Sequence, residues 1–135
     1  MFLSPWTVLP DYVELLLMTL ARLTARKLTP EEVQGLVENV LTDLSGVAGL
    51  TAIVLFGSAA TSEMSEASDL DIVMVFDTEE HCNLARREVH SLRRTALWPM
   101  DILCVDLATY RSKSEIGGVY FVAAHEGRII YGTRP

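Results

Sequence analysis

A chain of 135 residues, 50% apolar and 21% charged, has the size and composition of one compact soluble domain. No apolar run approaches the roughly 20 residues of a membrane helix. The amino terminus carries no secretory-leader pattern, and Cys82 and Cys104 lack metal-ligand spacing, so buried, reduced thiols in a cytoplasmic protein are expected. The net charge of −7 argues against a stand-alone binder of long DNA or RNA, although bound divalent cations would still admit a nucleotide.

The first predicted element is a helix from Pro10 to about Arg26, with Val13, Leu16, Leu17, Leu20 and Leu23 at helical spacing. Leu16, Leu17, Leu20 and Leu23 suffice to pack it on the domain. Leu15, Met18 and Ala21 widen the apolar arc beyond the roughly 100° stripe of a surface helix. The extra face needs cover from a second helix or from another chain, and Pro10 to Leu44 is read as holding a protein-binding surface as well as core. Thr29-Pro30-Glu31-Glu32 starts the second helix, with an N-cap Thr, Pro at the first helical position and a Glu closing a capping box. Val33, Leu36, Val37, Val40, Leu41 and Leu44 share one side of it, and Gly46 is the expected stop.

The hydrophobic period then changes. Thr51 to Phe56 and Leu70 to Phe76 are short, apolar and partly β-branched, and read as buried strands joined by a polar loop, Gly57 to Ser68. A helix is expected from about Glu79 to Thr95, with Arg86, Arg87, Arg93 and Arg94 on a solvated face. Trp98-Pro99 packs at the start of a third strand, Met100 to Val105, and Asp106 caps a short helical turn. A helix over Gly118 to Glu126, ended by Gly127, leads to a last strand, Arg128 to Tyr131. His81, His90 and His125 share no metal-ligand spacing and take surface or packing roles. Interleaved helices and strands predict an α/β (α+β) domain with a mixed sheet. Residues 1–135 form one unit, with 1–47 an N-terminal helical part and 51–131 the core.

Chemistry concentrates at Leu55-Phe56-Gly57-Ser58, followed after ten residues by Asp69-Leu70-Asp71-Ile72-Val73. Gly57 ends a buried strand, where the lack of a side chain lets backbone approach a ligand. Ser58 offers a hydroxyl and an N–H suited to phosphate oxygens. Asp69 and Asp71, two apart on a strand, point to one face. Paired carboxylates repel unless a cation lies between them, and all-oxygen ligands favour Mg²⁺ or Mn²⁺ over Zn²⁺. Asp101, in the apolar run Met100 to Leu103, reaches the same cluster if its strand lies beside that of Asp69 and Asp71. Three carboxylates can hold two metal ions, which clamp the attacking and leaving oxygens of phosphoryl and nucleotidyl transfer. Phe56-Gly57-Ser58-Ala59-Ala60 lacks the second Gly of a hydrolase nucleophile elbow.

A strand ending in Gly-Ser, a ten-residue gap, Asp-x-Asp in an apolar strand and a later strand with a single Asp resemble the DNA polymerase β superfamily, in particular its minimal nucleotidyltransferases. The resemblance covers about Thr51 to Tyr131, including the closing Glu126-Gly127-Arg128-Ile129-Ile130-Tyr131. It implies a two-layer, polymerase β palm-like fold, a mixed sheet with helices packed on one face and an N-terminal helical pair. By motif match Asp69, Asp71 and Asp101 are the metal-binding and catalytic residues, and Asp101 helps deprotonate the acceptor hydroxyl. Gly57 and Ser58 bind the nucleotide. ATP, or another nucleoside triphosphate, is the implied donor. The implied acceptor is a partner protein, as in antitoxins that act on a HEPN-type RNase toxin. A small-molecule, aminoglycoside-type acceptor and an antitoxin acting by contact alone are the alternatives, and a homo-oligomer is compatible. The sequence departs from the family where Thr61 and Ser62 replace an Arg and a Gly, which bears on catalysis rather than on fold.

Overall fold

The computed structural model describes residues 10–95 and 98–135. The side chains of Ala21, His90, Arg93 and Arg94, given roles above, lie outside those described. In chain order the elements are α1 (Pro10–Thr24), α2 (Pro30–Leu44), β1 (Leu50–Phe56), a 3-10 turn (Gly57–Ala59), β2 (Leu70–Phe76), α3 (Glu79–Thr95), β3 (Met100–Asp106), α4 (Leu107–Ser114), α5 (Val119–Glu126) and β4 (Arg128–Gly132). The strands form one mixed sheet in the order β3-β2-β1-β4. β2 and β3 run parallel, joined through α3, and the other neighbours pair antiparallel.

Side-chain alternation along the strands splits the interior in two. Ile53, Leu55, Ile72, Met74, Phe76 and Ile102 point to one face, against Val33, Val37, Val40 and Leu44 of α2 and Cys82, Ala85 and Val89 of α3. Ala52, Val54, Val73, Val75 and Val105 point to the other, where Tyr110 of α4 and Ala123 of α5 cover them. The mixed sheet is as expected, but the placement of helices on one face is corrected. β2 is buried along both faces, and the short helices α4 and α5 supply the second cover.

α2 begins as its sequence requires. Glu32 N–H donates to Thr29 Oγ1, Thr29 N–H donates to Glu32 Oε1 (both 3.2 Å) and Pro30 opens the helix. Arg26 adds a bidentate pair to Glu32 at 2.8 Å and a contact to Glu66 at 3.1 Å. Hydrogen bonding to Arg26 holds the Glu32 carboxyl well below the usual range, at about 2. Asp106 caps α4 as expected, accepting from Thr109 N–H at 3.0 Å. Cys82 and Cys104 are free and buried.

α1 departs from expectation. Leu16, Leu17, Leu20 and Leu23, expected to pack on the domain, are all exposed, and so are Leu15 and Met18. The reason lies in α2: its apolar side is committed to the sheet, and its outer side presents Gln34, Glu38, Asn39, Thr42 and Asp43. Only the partly buried Leu36 and Leu41 remain at its edges, too little apolar surface to cover a second helix.

Gly127 shows why the closing segment has its composition. It ends α5, donating its N–H to Ala123 O, and leads directly into β4. A Cβ at this position would overlap Ala123 O and Val54 Cγ1. Gly127→Ala is expected to cost roughly 1–3 kcal/mol, the usual penalty of overpacking, measured by urea denaturation against the parent chain.

Candidate active site

The site is built at one end of the sheet from the C-terminal end of β1 and the N-terminal ends of β2 and β3. Phe56 pairs with Asp71, and Asp71 pairs with Asp101 across the parallel β2–β3 ladder. Asp71 and Asp101 therefore share the face of Val73 and Val105, and Asp69 precedes β2 on the adjoining loop. The strand that carries Asp101 lies beside that of Asp71, the adjacency on which the sequence argument was conditional.

Gly57 takes a left-handed φ of 69°, and a Cβ there would overlap Asp71 Oδ2. Only glycine lets the Asp71 carboxylate lie against this turn. The chain then winds through the 3-10 turn, with Ala60 N–H donating to Gly57 O at 3.1 Å and Glu63 N–H to Ser58 O at 3.0 Å. The loop is pinned along its length. Ser65 and Ser68 bond to each other, Leu28 N–H donates to Met64 O at 2.9 Å, and Glu66 N–H donates to Arg26 O at 3.0 Å.

Ser58, Ser65, Ala67, Ser68, Asp69 and Asp71 line a cleft of about 330 Å³. Asp71 is half-buried, whereas Asp69 and Asp101 are exposed. Burial pushes the Asp71 carboxyl above the usual range, and the charges of Asp101 and Asp69 raise it further. The donor set is all oxygen and like-charged, which fits a hard divalent cation. Among the described residues no three ligating side chains already converge into a metal cage. The three carboxylates share one end of the sheet without being drawn to one point.

Sequence reasoning missed Ser65, Ser68 and the part played by Trp98. The Trp98 indole N–H donates to Ser68 O at 3.0 Å, and Leu70 N–H donates to Pro99 O at 2.9 Å. Trp98-Pro99 thus ties the residue before Asp69 to the start of the Asp101 strand. The signal was an aromatic-proline pair two residues ahead of an acid, read only as packing. His81 pairs with Asp77 at 2.7 Å, and His125 stacks on Phe121 with ring centroids 4.0 Å apart, so both have the surface roles expected. Arg86 is held by Asn83 and Cys104 O, away from the cleft-lining residues.

The family model described as nucleotidyltransferase domain matches residues 36–130. The chain belongs to the nucleotidyltransferase domain family and is a nucleotidyltransferase. Two of the solved structures it is similar to are the following. One is a toxin-antitoxin with AMP-PNP, at 23% identity and TM-score 0.47, covering 74% of this chain and 73% of that one. The other is a tri-AMPylated Shewanella oneidensis HEPN toxin in complex with MNT antitoxin, at 18% identity and TM-score 0.42, covering 75% and 73%. No curated protein matches the chain.

Thr61 and Ser62, which depart from the family pattern, take structural parts. Thr61 Oγ1 donates to Gly57 O at 3.3 Å and lies 3.4 Å from Ser58 O. Ser62 sits at φ 63°, where the family's glycine carries no Cβ penalty. Ser62→Gly is expected to gain up to about 1 kcal/mol in urea denaturation, the relieved strain exceeding the added freedom of the unfolded chain.

The raised Asp71 carboxyl gives a pH signature. Its ionisation opposes folding, so the folded state is favoured while the group is protonated, and that advantage is lost as pH rises through the folded-state pKa. In metal-free protein Asp71→Asn is expected to be more stable than the parent at about pH 7. The difference should shrink as pH falls toward the ordinary carboxylate value of 3.8. Thermal unfolding in chelator at both ends of that range measures it.

Proposed function

We propose that this nucleotidyltransferase transfers AMP from ATP, with Mg²⁺ or Mn²⁺, to a hydroxyl on a partner protein of the HEPN-type toxin class that the sequence resemblance implies. The observation that carries the reading is the Asp71–Asp101 register beside Gly57, with Asp69 on the adjoining loop. Those three carboxylates would hold the cation, Asp69 and Asp101 from exposed positions beside the more buried Asp71. The bound cation would neutralise charge developing on the phosphates and align the attacking and leaving oxygens.

The chain's own groups supply the rest. Gly57 admits phosphate oxygens close to the backbone, and Ser58 meets them with its hydroxyl from the wall of the cleft. Asp101 accepts the proton of the acceptor hydroxyl as its oxygen attacks the α-phosphorus. The bond to the bridging oxygen breaks and pyrophosphate leaves. Positioning and electrostatics provide most of the acceleration in such transfers.

A protein acceptor is supported by exposure. Small-molecule sites usually bury 70–90% of their ligand, whereas Asp69 and Asp101 lie open to solvent. A surface-mounted hydroxyl of another protein can reach such a site without enclosing walls. Contact alone is the second reading, favoured by one observation: Thr61 supplies no cation where the family has one, and its hydroxyl is spent on the turn.

Incubation of the chain with α-labelled ATP, Mg²⁺ and a HEPN-type partner is expected to label the partner. Asp101→Ala should cut transfer by at least about 100-fold, as loss of a general base and metal ligand does. Thr61→Arg should raise the rate. Tight partner binding with no transfer by the parent chain would select the contact reading instead.

A further inference from the structure

Two features outside the acidic cleft have no part in the transfer: a helix with an excess of apolar surface and an apolar groove with a cationic rim. α1 exposes eight large apolar side chains, and six of them fall on two opposite faces, with Tyr12 and Leu17 between. Val13, Leu16, Leu20 and Leu23 share one face. Asp11, Glu14, Leu15 and Met18, spaced i, i+3, i+4 and i+7, share the other, in the N-terminal half of the helix. A surface helix has one apolar stripe; two stripes call for two neighbours.

The groove begins at Lys27, just beyond the C-terminal end of α1. Leu28, Pro30, Val33 and Met64 give it apolar walls, and Lys27 and Arg128 contribute cations. Both cations have partners, Glu63 Oε1 at 3.9 Å for Lys27 and Gln34 Oε1 at 2.8 Å for Arg128, yet Lys27 remains largely exposed. The cavity measures about 430 Å³, against the roughly 30 Å³ that one water occupies in the liquid. It has room for two four-atom side chains.

We propose that two copies of this chain pair about a two-fold axis through antiparallel α1 helices, the Asp11–Met18 face of each helix seating in the groove of the other copy. Antiparallel pairing sets the N-terminal half of one α1 beside the C-terminal end of its partner, where the groove opens. Asp11 and Glu14 then approach Lys27 and Arg128, and the opposed helix dipoles attract. Leu15 and Met18 enter the apolar walls, while Leu16, Leu20 and Leu23 pack on the same face of the second α1, Leu20 near the axis and Leu16 opposite Leu23. The same patch serves both copies, so the assembly closes at two.

Area favours this arrangement over a bare helix pair. A 15-residue helix is about 22 Å long and about 10 Å across, a lateral surface on the order of 700 Å². Burying a third of it on each copy falls short of the roughly 1,000 Å² total that a specific interface needs. Burying both faces, with the grooves that receive them, exceeds it. Seating in the same chain's groove is blocked at the hinge. Asp11 lies about 20 Å along the helix from Thr24, only Ala25 and Arg26 could turn the chain back, and Arg26 is tied to Glu32 and Glu66.

Sedimentation equilibrium of the full chain tests the pairing without any nucleotide, so its outcome is independent of the transfer assay. A dimer at tens of micromolar is expected. Leu20→Glu and Met18→Glu, both at exposed positions that spare the fold, should each raise the dimer dissociation constant at least about 10-fold with circular dichroism unchanged, and Leu20→Ala should raise it less. Glu14→Lys and Lys27→Glu should each weaken the dimer about 3- to 10-fold, the scale of a rim charge pair, and the double reversal should recover to within about 2-fold of the parent. A parent chain that stays monomeric, or a dimer indifferent to Leu20→Glu, overturns the proposal. A double reversal no better than either single change overturns the reciprocal seating.

Discussion

Everything at the acidic end depends on one pairing, the parallel alignment of β2 with β3. Parallel strands cannot be joined by a tight turn, and the crossover through α3 returns the chain so that β3 starts level with β2. That register sets Asp101 opposite Asp71. A one-residue slip would turn Asp101 to the face that carries Ile72 and Met74, burying a charge in the apolar core. Ile102 and Cys104 on one side, and Val105 on the other, hold the register by matching the two hydrophobic layers. The core thus decides which acids lie side by side at this end of the sheet, through side chains on the strands behind them.

The cost of that arrangement falls on Asp71. It is the most buried of the three acids, and both burial and its neighbours oppose its charge. Gly57 deepens the constraint, because the space a Cβ would take is filled by the Asp71 carboxylate. At the other end of β2, Phe76 is fully buried and Asp77 satisfies its charge with His81.

Much of this was legible in the sequence because it rests on local rules. The capping box at Thr29 and Glu32, the Asp106 cap and the two-residue spacing of Asp69 and Asp71 each depend on neighbours in the chain. The covering of both sheet faces was not legible. α4 and α5 are eight residues each, too short to show a clear amphipathic stripe, and Tyr110 and Ala123 give little hint of burial. Trp98 escaped for a different reason: its indole bond to Ser68 O links residues thirty apart in the chain, and no periodicity announces such a contact. The exposure of α1 was half visible. The breadth of its apolar arc could be counted, whereas its lack of cover depends on the polar outer side of α2.

The Gly57–Ser68 loop joins these themes, because it has two working sides. Ser58, Ser65 and Ser68 line the cleft, while Ala59, Ser62 and Met64 line the groove. Residues of one short segment therefore form a wall of the cavity beside the acids and a wall of the cavity beside Lys27. Its conformation is over-determined by the 3-10 turn, the Ser65–Ser68 pair, the bridge from Lys27 to Ser65 and the Trp98 bond. A segment fixed by so many bonds can tolerate Ser62 in a left-handed conformation. The same rigidity explains how the loop can lose the family's Arg and Gly and still present Ser58 to the cleft. What a group in the groove touches is the reverse side of the backbone that a nucleotide would meet.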